Sequence, residues 1–316
     1  MLTIRRILCP LDFSDCSRHA LARAAAIAKA HEATITALHV VPTPVLMAPL
    51  PFETVRPVVP PLTAAQLERA RADVTAFARL ASTIAGPIDA EVIEASTIHE
   101  EIVSQAARLH ADLIVMGTHG RGGFQRMFLG SVAERVLRLA RSPVMTVGPS
   151  ADGRSGTFKN ILCGIDFSDC SFAALDYALA LADRASGHVT AVNVVEWTPV
   201  GYDPLVGPPT DLAGYRMSAA ANARERLTKA IATASTDIPV RKVVTSGKPH
   251  HELPRIAKDE GADLIVLGIH GHNPIDRFFF GSTVEPIVRH AECPVLTVRA
   301  HCAQTVKDVR RTNAEA

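Results

Sequence analysis

Hydrophobic and polar positions along the chain follow two alternating registers. Short runs rich in Val, Ile and Leu are each followed by a longer run in which Ala and Leu recur at helical spacing. In the first half this pattern predicts strands at 6–9, 34–41, 88–94, 113–116 and 143–147. Helices are predicted between them, at 14–31, 63–85, 98–110 and 131–140. The strand at 113–116 is apolar throughout, as a strand covered on both faces must be. Parallel neighbours need a helix-sized crossover, so the alternation predicts an α/β domain whose parallel sheet carries helices on both sides.

The pattern then occurs a second time. Residues 7–17 read ILCPLDFSDCS, and residues 161–171, 154 positions on, read ILCGIDFSDCS. Near the end of the unit, ADLIVMGTHG at 111–120 returns as ADLIVLGIHG at 262–271, 151 positions on. A period this long marks duplicated domains rather than solenoid repeats, and 316 residues suit two domains. The expected division is a first domain at 1–148, a polar linker at 149–156, a second domain at 157–300 and a polar tail at 301–316. Two segments stand outside the pattern. Residues 42–61 hold seven prolines and are read as a long loop after the second strand. Their counterpart at 197–209 is also rich in Pro and Gly; both are either binding surfaces or solvated excursions.

Charge and composition narrow the function classes. Lys and Arg total 33 against 32 Asp and Glu, so no whole-chain bias favours nucleic acid or an anionic membrane. No apolar run approaches the ~20 residues of a spanning helix. Arg5-Arg6 precedes a short apolar stretch, but Asp12 ends it and the same stretch recurs in mid-chain, so a cytoplasmic protein is expected. Cys9 and Cys16 recur as Cys163 and Cys170, and no Cys-x-x-Cys occurs. Ser14 and Ser168 are read as helix N-caps. Cys16 and Cys170 follow them, where a helix dipole lowers a thiol pKa; the alternative is that they are small packing residues.

The chemistry concentrates in one loop per copy, between the fourth strand and the last helix. Residues 117–131 read GTHGRGGFQRMFLGS and residues 268–282 read GIHGHNPIDRFFFGS, sharing the frame G-x2-G-x9-G-S. Glycines bring bare backbone N–H groups against an anion, and Gly130-Ser131 opens a helix whose positive end suits phosphate. Ser131-x-x-Glu134 and Ser282-x-x-Glu285 also fit a capping box, in which the serine binds no ligand. Arg126 and Arg277, in register within the loops, either pair with phosphates or are solvated. Asp12 and Asp166 stand where the first strand of each copy ends. In an open parallel sheet that is where ligands bind, beside the reversal of strand order. If strands one and four are neighbours, Asp12 faces Gly117 across one crevice, and the joint pattern points to a nucleotide. No Walker loop, no G-x-G-x-x-G after the first strand, no zincin motif and no nucleophile elbow is present.

With this aspartate followed by Phe-Ser, and with the glycine frame in both copies, the chain resembles a tandem universal stress protein. The resemblance covers about 1–148 and 157–300 and points to the ATP-binding branch of the family. It implies two Rossmann-like domains of the adenine nucleotide alpha hydrolase-like type, each a five-stranded, mainly parallel sheet with four helices. Carried over, Asp12 and the backbone of Val40 hold the adenosine part, with Pro10 and Met116 beside it. Gly117, His119, Gly120 and Arg121 form the ribose–phosphate turn, and Gly130, Ser131 and Val132 bind phosphates. In copy 2 the matching positions are Asp166, Val194, Gly268, Gly271, Gly281, Ser282 and Thr283. The implied ligand is ATP, with or without Mg²⁺. Segments 143–147 and 294–298 are expected to pair as an internal pseudo-dimer, while association of two chains stays open.

The implied function is that of a cytoplasmic, nucleotide-dependent stress-response regulator with little or no turnover, since no general base and no Mg²⁺-anchoring pair is identified. The other readings are a slow ATPase or nucleotide-transferring enzyme of the same fold, and an interaction scaffold that binds no nucleotide. No catalytic and no metal-ligating residue is assigned, and neither nucleic acid nor membrane is expected as a partner. In copy 2, Asn273-Pro274 replaces Gly122-Gly123 and Pro286 disfavours helix at Glu285. The second site is therefore expected to be the weaker one.

Overall fold

A computed structural model describes residues 4–43, 61–81, 88–120, 129–149, 157–196, 212–234, 237–269 and 283–300. The chain divides into two compact units, one spanning Ile4–Gly156 and one spanning Thr157–Ala316. Most of the expected linker, the tail at 301–316 and the proline-rich segments at 44–60 and 197–209 lie outside the described residues.

The first unit runs β1 (Arg6–Pro10), α1 (Asp15–His31), β2 (Thr34–Pro42), α2 (Ala64–Ala81), β3 (Ile88–Ala95), α3 (Ile98–Arg108), β4 (Leu113–Gly117), α4 (Ser131–Leu139) and β5 (Val144–Val147). Its strands lie in the order β3-β2-β1-β4-β5 and all pair in parallel. Strand order therefore reverses between β1 and β4, which are neighbours through Ile7↔Leu113 and Leu8↔Ile114. The second unit repeats this with β6 (Asn160–Gly164), α5 (Asp169–Ala185), β7 (His188–Val195), α6 (Leu212–Thr233), β8 (Val240–Ser246), α7 (Pro249–Asp259), β9 (Leu264–Gly268), α8 (Val284–His290) and β10 (Val295–Val298). Its order is β8-β7-β6-β9-β10, again parallel throughout. Each unit is a Rossmann-like α/β domain.

The elements form where sequence physics places them. On α1 the buried face carries Ala20, Leu21, Ala24, Ala25 and Ala28, small side chains that let the helix lie close to the sheet. Strand β4 is buried along Leu113–Met116. Thr63 and Gln66 form a reciprocal capping box ahead of α2: Thr63 N–H donates to Gln66 Oε1 at 2.8 Å, and Gln66 N–H donates to Thr63 Oγ1 at 3.3 Å. Two expectations change. The proline count starts the loop at Pro42, yet Pro42 closes β2 opposite Ala95. Thr43 N–H donates to Ala95 at 3.0 Å, so the Pro42 nitrogen points away from β3, past the end of β1, where no donor is required. Glu285 is helical despite Pro286, because α8 begins only at Val284 and Pro286 falls within its first turn.

Candidate functional site

At the carboxyl end of β1 the chain turns sharply into α1. Phe13 takes up the turn in the left-handed region, φ 63°, and Phe167 does the same at φ 65°. Ser14 is the N-cap of α1, its side chain accepting from Ser17 N–H at 3.1 Å. The same hydroxyl lies 2.6 Å from Asp12 Oδ1, which also accepts the Ser14 N–H at 3.0 Å. One serine thus caps the helix and fixes the aspartate. Asp166 and Ser168 repeat the arrangement, with the Ser168 N–H on Asp166 Oδ1 at 2.9 Å and the Ser168 hydroxyl on the same atom.

The glycine loop sits directly against this turn. A Cβ on Gly120 would stand 2.6 Å from Asp12 Oδ2, so glycine lets the loop lie on the carboxylate without displacing it. A Cβ on Gly117 would instead meet Cys16 Cβ at 2.8 Å and the Cys16 carbonyl carbon at 2.9 Å. Gly117 is therefore also the contact point of α1 on β4. The Thr118 hydroxyl lies 2.8 Å from His119 Nδ1, and Gly130 N–H donates to the Thr118 carbonyl at 2.9 Å. This bond brings the start of α4 back to the end of β4.

Gly130 is the N-cap of α4, φ −60° and ψ 136°, with no side-chain cap bond. Ser131 is the first helical residue, so the capping-box alternative fails in the first unit: Glu134 pairs with Arg138 at 2.6 Å. The first amide groups of α4 face open space. A cavity of about 510 Å³ lies there, bounded by the ends of β1, β2 and β4, by α3 and by the start of α4. Pro10, Asp12, Val40 and Met116 line it from the strands. Gly117, His119 and Gly120 line it from the loop, and Gly130, Ser131 and Val132 from the helix start. Ten of the expected first-unit residues are brought together; Arg121, like Arg126, lies outside the described residues.

The second unit places Asp166 after β6, Val194 in β7, Gly268 at the end of β9 and Thr283 at the N-cap of α8. Gly271, Gly281, Ser282 and Arg277 lie outside the described residues. Gly268 repeats the Gly117 contact on the main chain of Cys170 and Ser171.

Several wall residues escaped the sequence reading. His39, Leu38, Ile98, Ile102 and Leu129 line the cavity and make most of it apolar. His39 had a signal, since it aligns with Asn193 in a repeat of identical polarity. The cysteines follow the packing alternative. Cys16 and Cys170 are buried, and that burial is the largest influence on their thiols, pushing both pKa values up rather than down. Cys9 and Cys163 are wholly buried and raised still further. Among the described residues, no cluster of His, Cys, Asp and Glu suits a metal ion, and no helix is long and apolar enough to cross a membrane.

Comparison with known proteins follows the same division. The model of the universal stress protein family matches residues 3–148 and again 157–299. A universal stress protein of Mycolicibacterium smegmatis is 28% identical over 296 residues, 93% of this chain and 96% of that one. A putative universal stress protein of Staphylococcus epidermidis is 35% identical over 148 residues, 45% of this chain and 85% of that one. Among solved structures, a universal stress protein from Archaeoglobus fulgidus DSM 4304 covers 94% of this chain and 97% of its own at a TM-score of 0.61 and 20% identity. A putative universal stress protein from Pseudomonas aeruginosa UCBPP-PA14 covers 97% of each chain at a TM-score of 0.64 and 15% identity. At those identities the two structures speak for the fold alone. Matched once in each half by the family model, and nearly end to end by a curated relative, the chain belongs to the universal stress protein family.

Proposed function

We propose that the first unit binds ATP, with or without Mg²⁺, and that the chain is a cytoplasmic stress-response regulator whose signal is its nucleotide-bound state. The observation that carries this reading is the single cavity that joins Asp12, the Val40 strand end and the uncapped start of α4. Its apolar wall, from Leu38, Ile98, Ile102 and Met116, suits a purine face. Asp12 suits ribose hydroxyls, and the amides of Ser131 and Val132 with the helix dipole suit phosphate. A Cβ on Gly120 would press on Asp12 Oδ2 and one on Gly130 would crowd the Thr118 carbonyl at 3.1 Å, so both glycines keep the loop close to Asp12 and to the start of α4. Little or no turnover is part of this reading, since the sequence offers no identified general base and no Mg²⁺-anchoring pair.

The test is equilibrium ATP binding to the purified full chain and to Gly130→Ala, with phosphate release followed over hours. Binding that weakens in the variant, with release far below one turnover per minute, supports the reading. A folded chain that binds no ATP would make it an interaction scaffold, and sustained release would make it an ATPase.

A further inference from the structure

The end of the β1–β2 ladder contains a substitution of one donor by another. Leu11 N–H donates to the Leu38 carbonyl at 2.8 Å, the last main-chain bond of that ladder. In the register Pro10↔Leu38, the next donor due is Val40 N–H, on the Leu11 carbonyl. The Leu11 carbonyl is met instead by His39 Nδ1, at 2.8 Å. A carbonyl only accepts, so Nδ1 carries the proton whether the ring is neutral or charged. The Phe13 ring, centroid 4.7 Å from that of His39, holds the imidazole in place.

The second unit makes the same substitution with a different residue. Ile165 N–H donates to the Val192 carbonyl at 2.8 Å, and Val194 N–H is due next on the Ile165 carbonyl. Asn193 Nδ2 takes that carbonyl, at 2.7 Å, from a buried side chain. Imidazole and carboxamide share little except a donor at the right reach. A bond kept while the residue that makes it changes marks the bond itself as what matters.

We infer that His39 is a positioning residue of the crevice: by taking the strand-end carbonyl, as Asn193 does in the second unit, it leaves the Val40 N–H group to face the crevice as an unclaimed donor for the base of a bound nucleoside. The inference rests on the nucleotide reading and adds how the base end of the site is built. A main-chain N–H aimed at the crevice recognises a ring nitrogen acceptor, and a side chain bonded elsewhere does not compete for it.

The experiment uses the full chain, with ATP, adenosine and tripolyphosphate as separate ligands. His39→Leu keeps an apolar body against Phe13 and removes the donor; His39→Asn keeps the donor. We expect His39→Leu to weaken ATP and adenosine alike by roughly ten-fold, the worth of one well-made hydrogen bond. Tripolyphosphate affinity should not change, and His39→Asn should stay within about two-fold of the parent. Amide exchange in the unmodified chain is an independent readout: Val40 N–H should exchange openly alone and become protected when adenosine is added. Adenosine binding unchanged in His39→Leu, an equal loss in His39→Asn, or a Val40 amide protected without ligand would each overturn the inference. A parent that binds tripolyphosphate but no adenosine would overturn the nucleotide reading and this one with it.

Discussion

Replacing Gly117 by alanine separates a packing role from a ligand role. An alanine Cβ there would stand 2.8 Å from Cys16 Cβ and 2.9 Å from the Cys16 carbonyl carbon. Carbon atoms rest at about 3.5–4.0 Å, so α1 would have to retreat by roughly 0.7–1.2 Å along its first turn. Overpacking of this kind costs about 1–3 kcal/mol. At ~2 kcal/mol, and some 2–4 °C per kcal/mol for a unit of this size, the first unit should melt roughly 4–8 °C lower. Gly268→Ala should cost more, since its Cβ would meet only main-chain atoms, with Ser171 N at 2.5 Å. Gly120→Ala is the contrasting control. Its Cβ would press on the far end of the Asp12 side chain rather than on packed main chain, so stability should fall less than in Gly117→Ala, while displacement of the carboxylate from its Ser14 bonds lowers ATP binding. Scanning calorimetry and ATP titration of the three variants decide the matter. A Gly117→Ala protein that melts within a degree of the parent but binds ATP poorly would refute the packing argument and return Gly117 to the ligand.

Further consequences are open to direct measurement. Ser14→Ala removes the N-cap bond of α1 and the hydroxyl bond to Asp12, leaving only the main-chain N–H of residue 14 on that carboxylate, so it should cost ~1 kcal/mol in denaturant unfolding and weaken ATP binding as well. Burial of Cys9, Cys16, Cys163 and Cys170 should make them slow toward a thiol reagent at pH 7 until the chain unfolds, as site-resolved mass spectrometry would read; prompt labelling of Cys16 would contradict it. Burial, reinforced by Arg135, lowers the pKa of His99 below its ordinary 6.5. The unfolded chain then binds the proton more readily, so the stability that neutral His99 contributes is present above pH 6.5 and lost as pH falls through the lower, folded value. His99→Gln should flatten that part of the urea-midpoint profile, and an unchanged slope would contradict it.

Much of this architecture was legible because its signals are local. Strand and helix periods, the Ser14 and Ser168 caps and the duplicated glycine frame each rest on neighbours in sequence, and the predicted elements fall within a few residues of those observed. What escaped depends on contacts between distant segments. That Gly117 also carries the packing of α1 on β4 shows only once Cys16, far back along the chain, is seen against it. The raised thiol pKa values follow from depth of burial, which a helix N-terminus in sequence does not reveal. Glu32 and Ser186 end α1 and α5 in the left-handed conformation at φ 54° and 48°, where the usual glycine signal is missing. Thr63 and Gln66 form a capping box at α2, whereas the equally good motif at Ser131 is overridden because Gly130 takes the cap. Motif and backbone context together decide which serine caps.

The duplication also predicts unequal crevices. Pro10, Ile102 and Met116 line the first cavity; Gly164, Leu253 and Leu267 hold those positions in the second unit. Leu267 Cδ2 and Leu253 Cδ1 come within 2.8 and 3.1 Å of where a Gly164 Cβ would stand, so the leucines lean into the space a proline would occupy. At the other end, α4 starts at Ser131 but α8 starts at Val284, capped by Thr283 at φ −97° and ψ −48°. A start in register, at Ser282, would leave Pro286 facing the Ser282 carbonyl without an N–H. Beginning later avoids that loss and moves the helix amides off the register of the first-unit cradle. Losing one phosphate-directed, charge-assisted bond is worth roughly ten- to a hundred-fold in affinity. Titration of the full chain with ATP should therefore show a tight and a weak phase, with Asp12→Ala removing the tight one and Asp166→Ala sparing it. Pro286→Arg, which restores the residue found at the matching Arg135, should let α8 start earlier and strengthen the weak phase. Two equal phases in the parent would refute the asymmetry, and a weak phase indifferent to Pro286→Arg would refute the helix-start cause.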